Sequence, residues 1–315
     1  MRTASKTNHH RFFSLIALII AGCMFAPFFL LKGYSQLGIE AQNKTYKGVD
    51  EKIMSKLGWK FAIQCWTYNE QTFFDALDSI QSLGVHYVEM LSYQTVSKDI
   101  SQKSGPDMDA ETLEKLKTKL KETGITAIAI WVDPFPKDEV NLRKLFAWAN
   151  ELGIETITTE PDPDNKIAME LTAKLCKEYK LKIAVHNHPI KTDNKTYKFW
   201  DPDFALGVVK PYYPQIGLCT DVGHWYRSGL VSLECLKKVD GFINSVHFKD
   251  LNLNKQDVPL GTGVLNAQEL LSELKRQKFK GVLTLEYESW GIKQHEEIVQ
   301  CINFLNKEAK KLIMR

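Results

Sequence analysis

Two stretches of the sequence decide the fold: LKIAVHNHP at residues 181–189 and IGLCTDVGHW at residues 216–225. Each begins with a short apolar run, which is typical of a buried β-strand, and each ends in histidine or aspartate side chains. In closed sheets of parallel strands, the polar residues that follow the strands meet at one rim, where binding and chemistry take place. The two stretches therefore predict neighbouring parallel strands with a functional site at their carboxyl ends.

The same pattern repeats from residue 59 onward. The predicted strands are residues 60–67, 86–91, 126–132, 155–160, 182–187, 216–221, 242–248 and 282–288. Apolar residues between the strands recur at three-and-four spacing, as in Phe73, Leu77 and Ile80, which predicts amphipathic helices. Eight such units fit a (β/α)8 barrel better than a doubly wound sheet, and no GxGxxG motif follows the first strand. We therefore predict a single α/β domain, a (β/α)8 barrel over residues 58–313, with residues 36–57 as an N-terminal extension.

The first 35 residues are predicted to direct export and to lie outside the fold. A basic start precedes FFSLIALIIAGCMFAPFFLL, residues 12–31, which has no charge and is typical of a bacterial-type export signal or membrane anchor. Three outcomes stay open. Residues 20–23 resemble a lipobox that would leave Cys23 lipidated, residues 33–35 suit ordinary signal cleavage, and the uncleaved segment is long enough to span a bilayer. We expect a periplasmic or membrane-anchored protein.

Net charge and cysteine usage exclude several classes of protein. The 315 residues have a formal net charge of +3. Residues 1–35 contain four basic residues and no acidic residue, so the remaining chain has a net charge of −1. That balance argues against general electrostatic binding of nucleic acid. The six cysteines are scattered without a CxxC pair, which excludes a zinc ribbon and a disulfide scaffold. The five beyond the leader are expected to be buried free thiols.

Polar residues at the predicted strand ends form the candidate site. Strands 4 to 8 each end in a carboxylate or an imidazole, although any one of these residues alone could cap a helix or serve a structural role. Taken together, they predict a metal site. The predicted ligands are Glu160, His186, Asp221, His247 and Glu286. A mixed nitrogen and oxygen set of this kind favours Mn²⁺, Zn²⁺, Co²⁺ or Fe²⁺ over Mg²⁺ or Ca²⁺.

Aromatic residues recur at the same strand ends, among them Trp66, Trp131 and Trp225. Indole and phenol faces pack on the C–H faces of sugar rings, while polar neighbours bind the hydroxyl groups. The alternative for each aromatic residue is ordinary packing at the top of a barrel. Their recurrence favours a polyhydroxylated ligand.

These motifs resemble the xylose-isomerase-like TIM barrels, a family that includes sugar phosphate isomerases and epimerases and is related to endonuclease IV. The resemblance covers about residues 58–310. Its most specific parts are residues 185–189, 221–225, 246–250 and 285–288, with a Gly-Thr-Gly turn at residues 261–263. The family fold agrees with the (β/α)8 barrel predicted from the strand pattern.

The resemblance implies that a divalent metal is held by Glu, Asp, His and Glu from strands 5 to 8. Asp221, His247 and Glu286 match the last three of these residues. His186 stands where the family has the first glutamate, and Glu160 on strand 4 could supply the missing carboxylate.

The other residues at the strand ends are predicted to take part in catalysis or in substrate binding. The predicted catalytic residues are Glu286, Glu160, His188 and Lys249. The predicted substrate-binding residues are Trp66, Trp131, His188, His224, Trp225 and Lys249. Among these, His224 matches a histidine that contacts substrate in the family, and Lys249 is placed to bind a substrate oxygen. Glu89, at the end of strand 2, either faces the pocket or orients a neighbour.

The function expected from these features is metal-dependent isomerisation or epimerisation of a sugar or keto-sugar through an enediolate-type intermediate. The resemblance also implies two opposed glutamates that move a proton on and off the carbon next to a carbonyl, and only Glu286 clearly matches one of them. A keto-sugar lyase or hydratase on the same metal site therefore stays open. A non-catalytic sugar-binding barrel is a further alternative, whereas the charge and the leader argue against a DNA-repair endonuclease. Phosphorylated substrates are not expected, since no glycine-rich phosphate cradle is present. Related barrels often form homodimers, but the oligomeric state stays open.

Overall fold

Eight parallel strands close into a barrel, which confirms the predicted (β/α)8 fold. The computed structural model describes residues 48–314, so the predictions made for the leader, residues 1–35, and for residues 36–47 lie outside the described part. The barrel strands are β1 (Trp59–Gln64), β2 (Tyr87–Leu91), β3 (Thr126–Trp131), β4 (Thr156–Thr159), β5 (Lys182–His186), β6 (Ile216–Asp221), β7 (Ile243–Phe248) and β10 (Gly281–Leu285). Between β7 and β10, β8 (Asp250–Leu251) and β9 (Asp257–Val258) form a separate antiparallel pair. Because β1 pairs with both β2 and β10, the barrel sheet has no free edge.

Helices alternate with the strands, and several begin at a side chain that caps them. The helices are α1 (Glu51–Leu57), α2 (Phe73–Ser82), α3 (Ala110–Thr123), α4 (Glu139–Glu151), α5 (Lys166–Tyr179), α6 (Pro202–Val209), α7 (Val222–Arg227), α8 (Ser232–Lys238), α9 (Ala267–Arg276) and α10 (Gln294–Met314). Asp109 and Asp138 each accept a backbone N–H from the first turn of their helix. Within residues 48–314, no helix combines the length and the apolar character that crossing a membrane requires.

Two strands end three residues earlier than the sequence predicts, whereas the other strand ends agree to within one residue. The first predicted strand, residues 60–67, ends at Gln64 and continues as a 3₁₀ turn over Cys65–Tyr68. The eighth, residues 282–288, ends at Leu285, so Glu286 and the residues after it lie beyond the strand pairing. Periodicity alone does not show where strand pairing stops, because the polar rim residues keep the same alternation.

Residues 48–57, predicted as part of the extension, pack on the last helix. The backbone N–H of Asp50 donates to Asn306 Oδ1 at 2.9 Å, and Asn306 Nδ2 donates to the carbonyl oxygen of Gly48 at 2.8 Å. Met54 of α1 is fully buried. The barrel body therefore includes at least the last ten residues of the predicted extension.

An apolar core fills the barrel below a polar layer. Ala62, Ile128, Ala129 and Val282 form one buried cluster in the barrel. All five cysteines within residues 48–314 are buried free thiols, as predicted. The polar layer follows from the strand register, which sets Asp221 directly beside His247 on neighbouring strands. The carboxyl ends of the strands therefore position the candidate site.

Candidate active site

A cavity of about 420 Å³ opens at the carboxyl ends of the strands. This volume is within the range of small-molecule sites. Six of the residues predicted from the sequence line it, namely Trp66, Trp131, His186, His188, His224 and Glu286. Four other predicted residues, Asp221, His247, Lys249 and Trp225, are buried and are not among the residues that line the cavity. The candidate site thus has a lining that a ligand could touch and a layer of charged residues beneath it.

Donor atoms of four buried residues converge at the floor of the cavity. Ligand atoms of His186, Asp221, His224 and Glu286 all lie within 4.8 Å of one another. Asp221 Oδ2 lies 3.7 Å from His186 Nε2 and 3.6 Å from His224 Nε2. Both ring nitrogens of His186 are buried without a hydrogen-bond partner among residues 48–314, and the buried Oδ2 of Asp221 is ion-paired with Lys249 at 3.1 Å. Since an unpaired buried polar atom costs about 1–3 kcal/mol, the ring nitrogens of His186 fit a ligand such as a metal ion.

The strand-7 histidine is oriented by a carboxylate from across the barrel. His247 Nε2 lies 3.0 Å from Glu89 Oε2, which also accepts the Thr284 hydroxyl at 2.9 Å. Burial alone would raise the pKa of Glu89, but His247 and these hydrogen bonds hold it below its usual value. An ionised Glu89 assigns a proton to His247 Nε2 and leaves Nδ1, which lies 3.2 Å from Glu286 Oε2, facing the cluster. Carboxylates that orient metal-binding histidines in this way are common. Of its two predicted roles, Glu89 has the second: it orients a neighbour.

Arg227, one helical turn after His224, determines which ring nitrogen of His224 carries the proton. Arg227 Nη1 lies 3.2 Å from His224 Nδ1. Because a guanidinium can only donate, Nδ1 accepts and the His224 proton lies on Nε2. Burial lowers the pKa of His224 well below its usual value, so the ring is neutral. This tautomer suits contact with a substrate oxygen, as predicted for His224, which also lies in one group of possible metal ligands with His186, Asp221 and Glu286.

Lys249 lies among the carboxylates of the site. Its Nζ lies 2.8 Å from Glu286 Oε2, 3.1 Å from Glu288 Oε2 and 3.1 Å from Asp221 Oδ2, and the side chain is fully buried. Its stem passes so close to Gly223 that a Cβ there would lie 2.5 Å from it. The sequence predicts that Lys249 contacts a substrate oxygen. The structure instead directs its ammonium to three carboxylates, where it helps to hold the pKa of Glu286 well below the usual value despite burial.

Glu160 lies in a group with His186 and His188, whose ligand atoms are within 4.8 Å of one another, and not in the group that contains Asp221 and Glu286. His186 separates it from Asp221, because His186 Nδ1 faces Glu160 Oε1 at 3.7 Å while His186 Nε2 faces Asp221. Glu160 Oε1 lies 2.5 Å from His188 Nδ1 and accepts the Tyr197 hydroxyl at 2.6 Å. The five predicted ligands therefore divide into two groups on either side of His186. Burial alone would lower the pKa of His186, but the neighbouring carboxylates of Asp221 and Glu160 raise it to about 9.

The aromatic residues divide in a similar way. Trp66, Tyr93 and Trp131 line the cavity, and Trp290 meets Trp66 edge-on with ring centroids 6.5 Å apart. Trp225, predicted to bind substrate, is only 2 % exposed and lies outside the lining. The aromatic lining therefore comes from the ends of β1, β2 and β3, and it touches the cluster of possible metal ligands where Trp131 meets His186 edge-on with ring centroids 5.1 Å apart.

Two residues of the site, Arg227 and Tyr197, are not predicted from the sequence. Arg227 follows His224 by one helical turn, and Tyr197 lies in the long segment 189–203, but neither position alone indicates a role. Arg227 is also ion-paired with Glu288 and Asp257, so its charge is balanced.

Comparison with known proteins agrees with this geometry. A sequence model of the family described as "Xylose isomerase-like TIM barrel" matches residues 77–308. No curated protein matches the chain. A solved structure of an uncharacterised protein from Parabacteroides distasonis ATCC 8503 is 31% identical, covers 79% of this chain and 99% of its own, and superposes with a TM-score of 0.63.

Two further solved structures are similar at the level of the fold. A D-tagatose 3-epimerase-like protein is 17% identical with a TM-score of 0.63, covering 81% of this chain and 98% of its own. A xylose isomerase-like TIM barrel protein from Mycobacterium smegmatis, solved in complex with magnesium, is 14% identical with a TM-score of 0.61 and covers 81% and 98%. With the family match over residues 77–308, the closed barrel and the rim of acids and imidazoles, this chain belongs to the xylose isomerase-like TIM barrel family.

Proposed function

We propose that the protein is a divalent-metal-dependent isomerase or epimerase that acts on a sugar or keto-sugar through an enediolate-type intermediate. The observation that carries the proposal is the pair of His186 ring nitrogens, buried beside Asp221 without a hydrogen-bond partner among residues 48–314, at the floor of a cavity that Trp66 and Trp131 line. Tryptophan faces suit the C–H faces of a sugar ring.

The residues present fit a metal ion. His186, Asp221 and Glu286, whose ligand atoms lie in one group, would hold it together with His247, whose Nδ1 lies 3.2 Å from Glu286 Oε2. Two imidazoles with two carboxylates favour Mn²⁺, Zn²⁺ or Co²⁺ over Mg²⁺. When bound, the ion supplies Lewis acidity next to a substrate carbonyl and so acidifies the neighbouring C–H bond.

The protein's own groups supply binding and proton transfer. Glu286 lines the cavity and is ionised, and its position makes it the carboxylate that can accept a proton from substrate. His188 also lines the cavity, and with Nδ1 bound to Glu160 it has Nε2 available as a second proton donor or acceptor. His224 donates from Nε2 to a substrate oxygen. Two groups of different type, a carboxylate and an imidazole, thus replace the family's pair of glutamates.

Proton exchange in D₂O tests the proposal. Free ketohexoses and keto-sugars are incubated with Mn²⁺-loaded protein and followed by NMR. We expect deuterium at the carbon next to the carbonyl, together with an epimer or isomer, and no exchange after chelation and dialysis. Absence of exchange with every sugar would contradict catalysis and favour a sugar-binding barrel.

A keto-sugar lyase or hydratase is the second candidate. The observation in its favour is the unequal pair of Glu286 and His188, because elimination needs a base for the C–H bond and a separate acid for the departing oxygen. The same NMR experiment separates the candidates. A lyase or hydratase gives a product that has lost or gained water or an alcohol, whereas an isomerase conserves the composition of the sugar.

We also propose that the leader exports the protein, on the basis of the uncharged stretch 12–31 after a basic start. Expression in a Gram-negative host followed by fractionation should place the protein in the periplasm or the membrane. Membrane retention that is lost in Cys23→Ala would favour lipidation over cleavage. Full-length protein in the cytosol with residues 1–35 intact would contradict export.

A further inference from the structure

Tyr197 closes a ring of hydrogen bonds around His188. The Tyr197 hydroxyl donates to Glu160 Oε1 at 2.6 Å and accepts the backbone N–H of His188 at 2.7 Å. The same Glu160 oxygen lies 2.5 Å from His188 Nδ1. Both the backbone and the ring of His188 are therefore tied to one tyrosine–carboxylate pair.

The segment 189–203 encloses the other side of this pair. Lys191 Nζ lies 3.9 Å from Glu160 Oε2 and 4.2 Å from the centre of the Tyr197 ring. The Glu160 side chain is only 14 % exposed. Hydrogen bonds to an ionised acceptor in such a poorly solvated place are short and strong, so they fix side-chain geometry.

Neighbouring rings restrict His188 further. Its ring stacks on His224 with centroids 5.3 Å apart and meets Trp131 edge-on at 5.5 Å. With Nδ1 directed to Glu160, Nε2 is the ring nitrogen left for a ligand in the cavity. A carboxylate that holds one nitrogen of a catalytic imidazole fixes both its tautomer and its orientation.

We propose that Glu160 and Tyr197 are positioning residues that orient His188 for proton transfer to the substrate, and that Glu160 is not a metal ligand. The transfer of a proton between His188 and the substrate rests on the proposed function, whereas the hydrogen bonds among Glu160, Tyr197 and His188 do not depend on it. Segment 189–203 thereby contributes to the reaction through Tyr197, although Tyr197 itself does not line the cavity.

The test compares Tyr197→Phe and Glu160→Gln with Tyr179→Phe, a matched control in α5 whose ring contacts Phe146. In Tyr197→Phe we expect kcat to fall about 10-fold and KM to change less than about 2-fold. The loss in kcat is smaller than the 10²–10⁴-fold rate enhancement that acid–base catalysis contributes, because His188 itself is still present. In Glu160→Gln we expect metal affinity within about 3-fold of wild type, well under the loss expected of a ligand. Tyr179→Phe should match wild type in both measurements.

A spectroscopic readout needs no turnover. With ¹⁵N-labelled histidine, the short His188–Glu160 bond should give a far-downfield N–H proton signal that is lost in Glu160→Gln, displaced in Tyr197→Phe and unchanged in Tyr179→Phe. An unchanged signal and kcat in Tyr197→Phe, or loss of metal in folded Glu160→Gln, would overturn the proposal. If the signals behave as expected but no sugar is turned over, the proposed function fails while the positioning by Glu160 and Tyr197 stands.

Discussion

Replacing Asp221 with asparagine is expected to lower the affinity for divalent metal by about 10²-fold or more. Residues that only orient ligands typically contribute 10–100-fold, so loss of a charged ligand should reach at least the upper end of that range. Asparagine can still accept the His224 backbone N–H, which Asp221 Oδ1 accepts at 2.7 Å, so the start of α7 should survive. The substitution removes the negative charge that Oδ2 presents to His186, His224 and Lys249.

Metal content and binding titrations on purified protein measure the effect, with circular dichroism as the control for folding. Asp240→Asn, which changes a carboxylate paired with Arg276 on the surface, serves as the matched variant and should bind metal normally. His188→Asn should weaken binding less than Asp221→Asn, because His188 is directed to Glu160. Chelation should abolish activity and leave the barrel folded. The metal hypothesis is wrong if chelated wild type stays fully active or if Asp221→Asn binds metal as wild type does.

Replacing Glu286 with glutamine is expected to reduce turnover by at least about 10²-fold, even at saturating metal. Glutamine keeps the shape of the side chain but removes its charge and its basicity. The change also leaves Lys249 Nζ, 2.8 Å from Glu286 Oε2, and His247 Nδ1, 3.2 Å from it, without that anionic partner. Proton abstraction and metal binding should therefore both weaken.

The rate of deuterium exchange at saturating metal separates these two effects, because it reports the proton step alone. Glu288→Gln is the matched control, since Glu288 also lines the cavity but is ion-paired with Arg227 and Lys249. We expect a smaller loss in that variant. Near-normal exchange in Glu286→Gln, with a large loss in Glu288→Gln, would assign the base to Glu288.

Much of the fold could be predicted from the sequence because its determinants are local. The eight strands follow from short apolar runs between helical patterns, and helix starts at Asp109 and Asp138 follow from capping chemistry. The proximity of Asp221 and His247 also follows from sequence order, because consecutive strands of a parallel barrel are neighbours.

The finer arrangement of the site depends on contacts between distant parts of the chain. Glu89 lies 158 positions from His247, and nothing in the residues around either one indicates the contact. The sequence predicts Glu160 in the same ligand set as Asp221, but β5 lies between their strands and places His186 between the two carboxylates. The side chains that bond to Glu160 are those of His188 and Tyr197. Lys249 shares a strand face with His247, so its inward direction could be predicted, whereas its carboxylate partners could not.

The packing of α1 on α10 has a practical consequence. Asn306 ties Gly48 and Asp50 to the last helix, and α1 leads directly into the amino end of β1, which is the end of the barrel away from the cavity. Helix α10 starts after β10 at the rim and returns towards that same face. Both ends of residues 48–314 therefore emerge on the side remote from the substrate entrance. Affinity tags, fluorophores or immobilisation linkers joined at either end of this segment should leave the cavity open to solution.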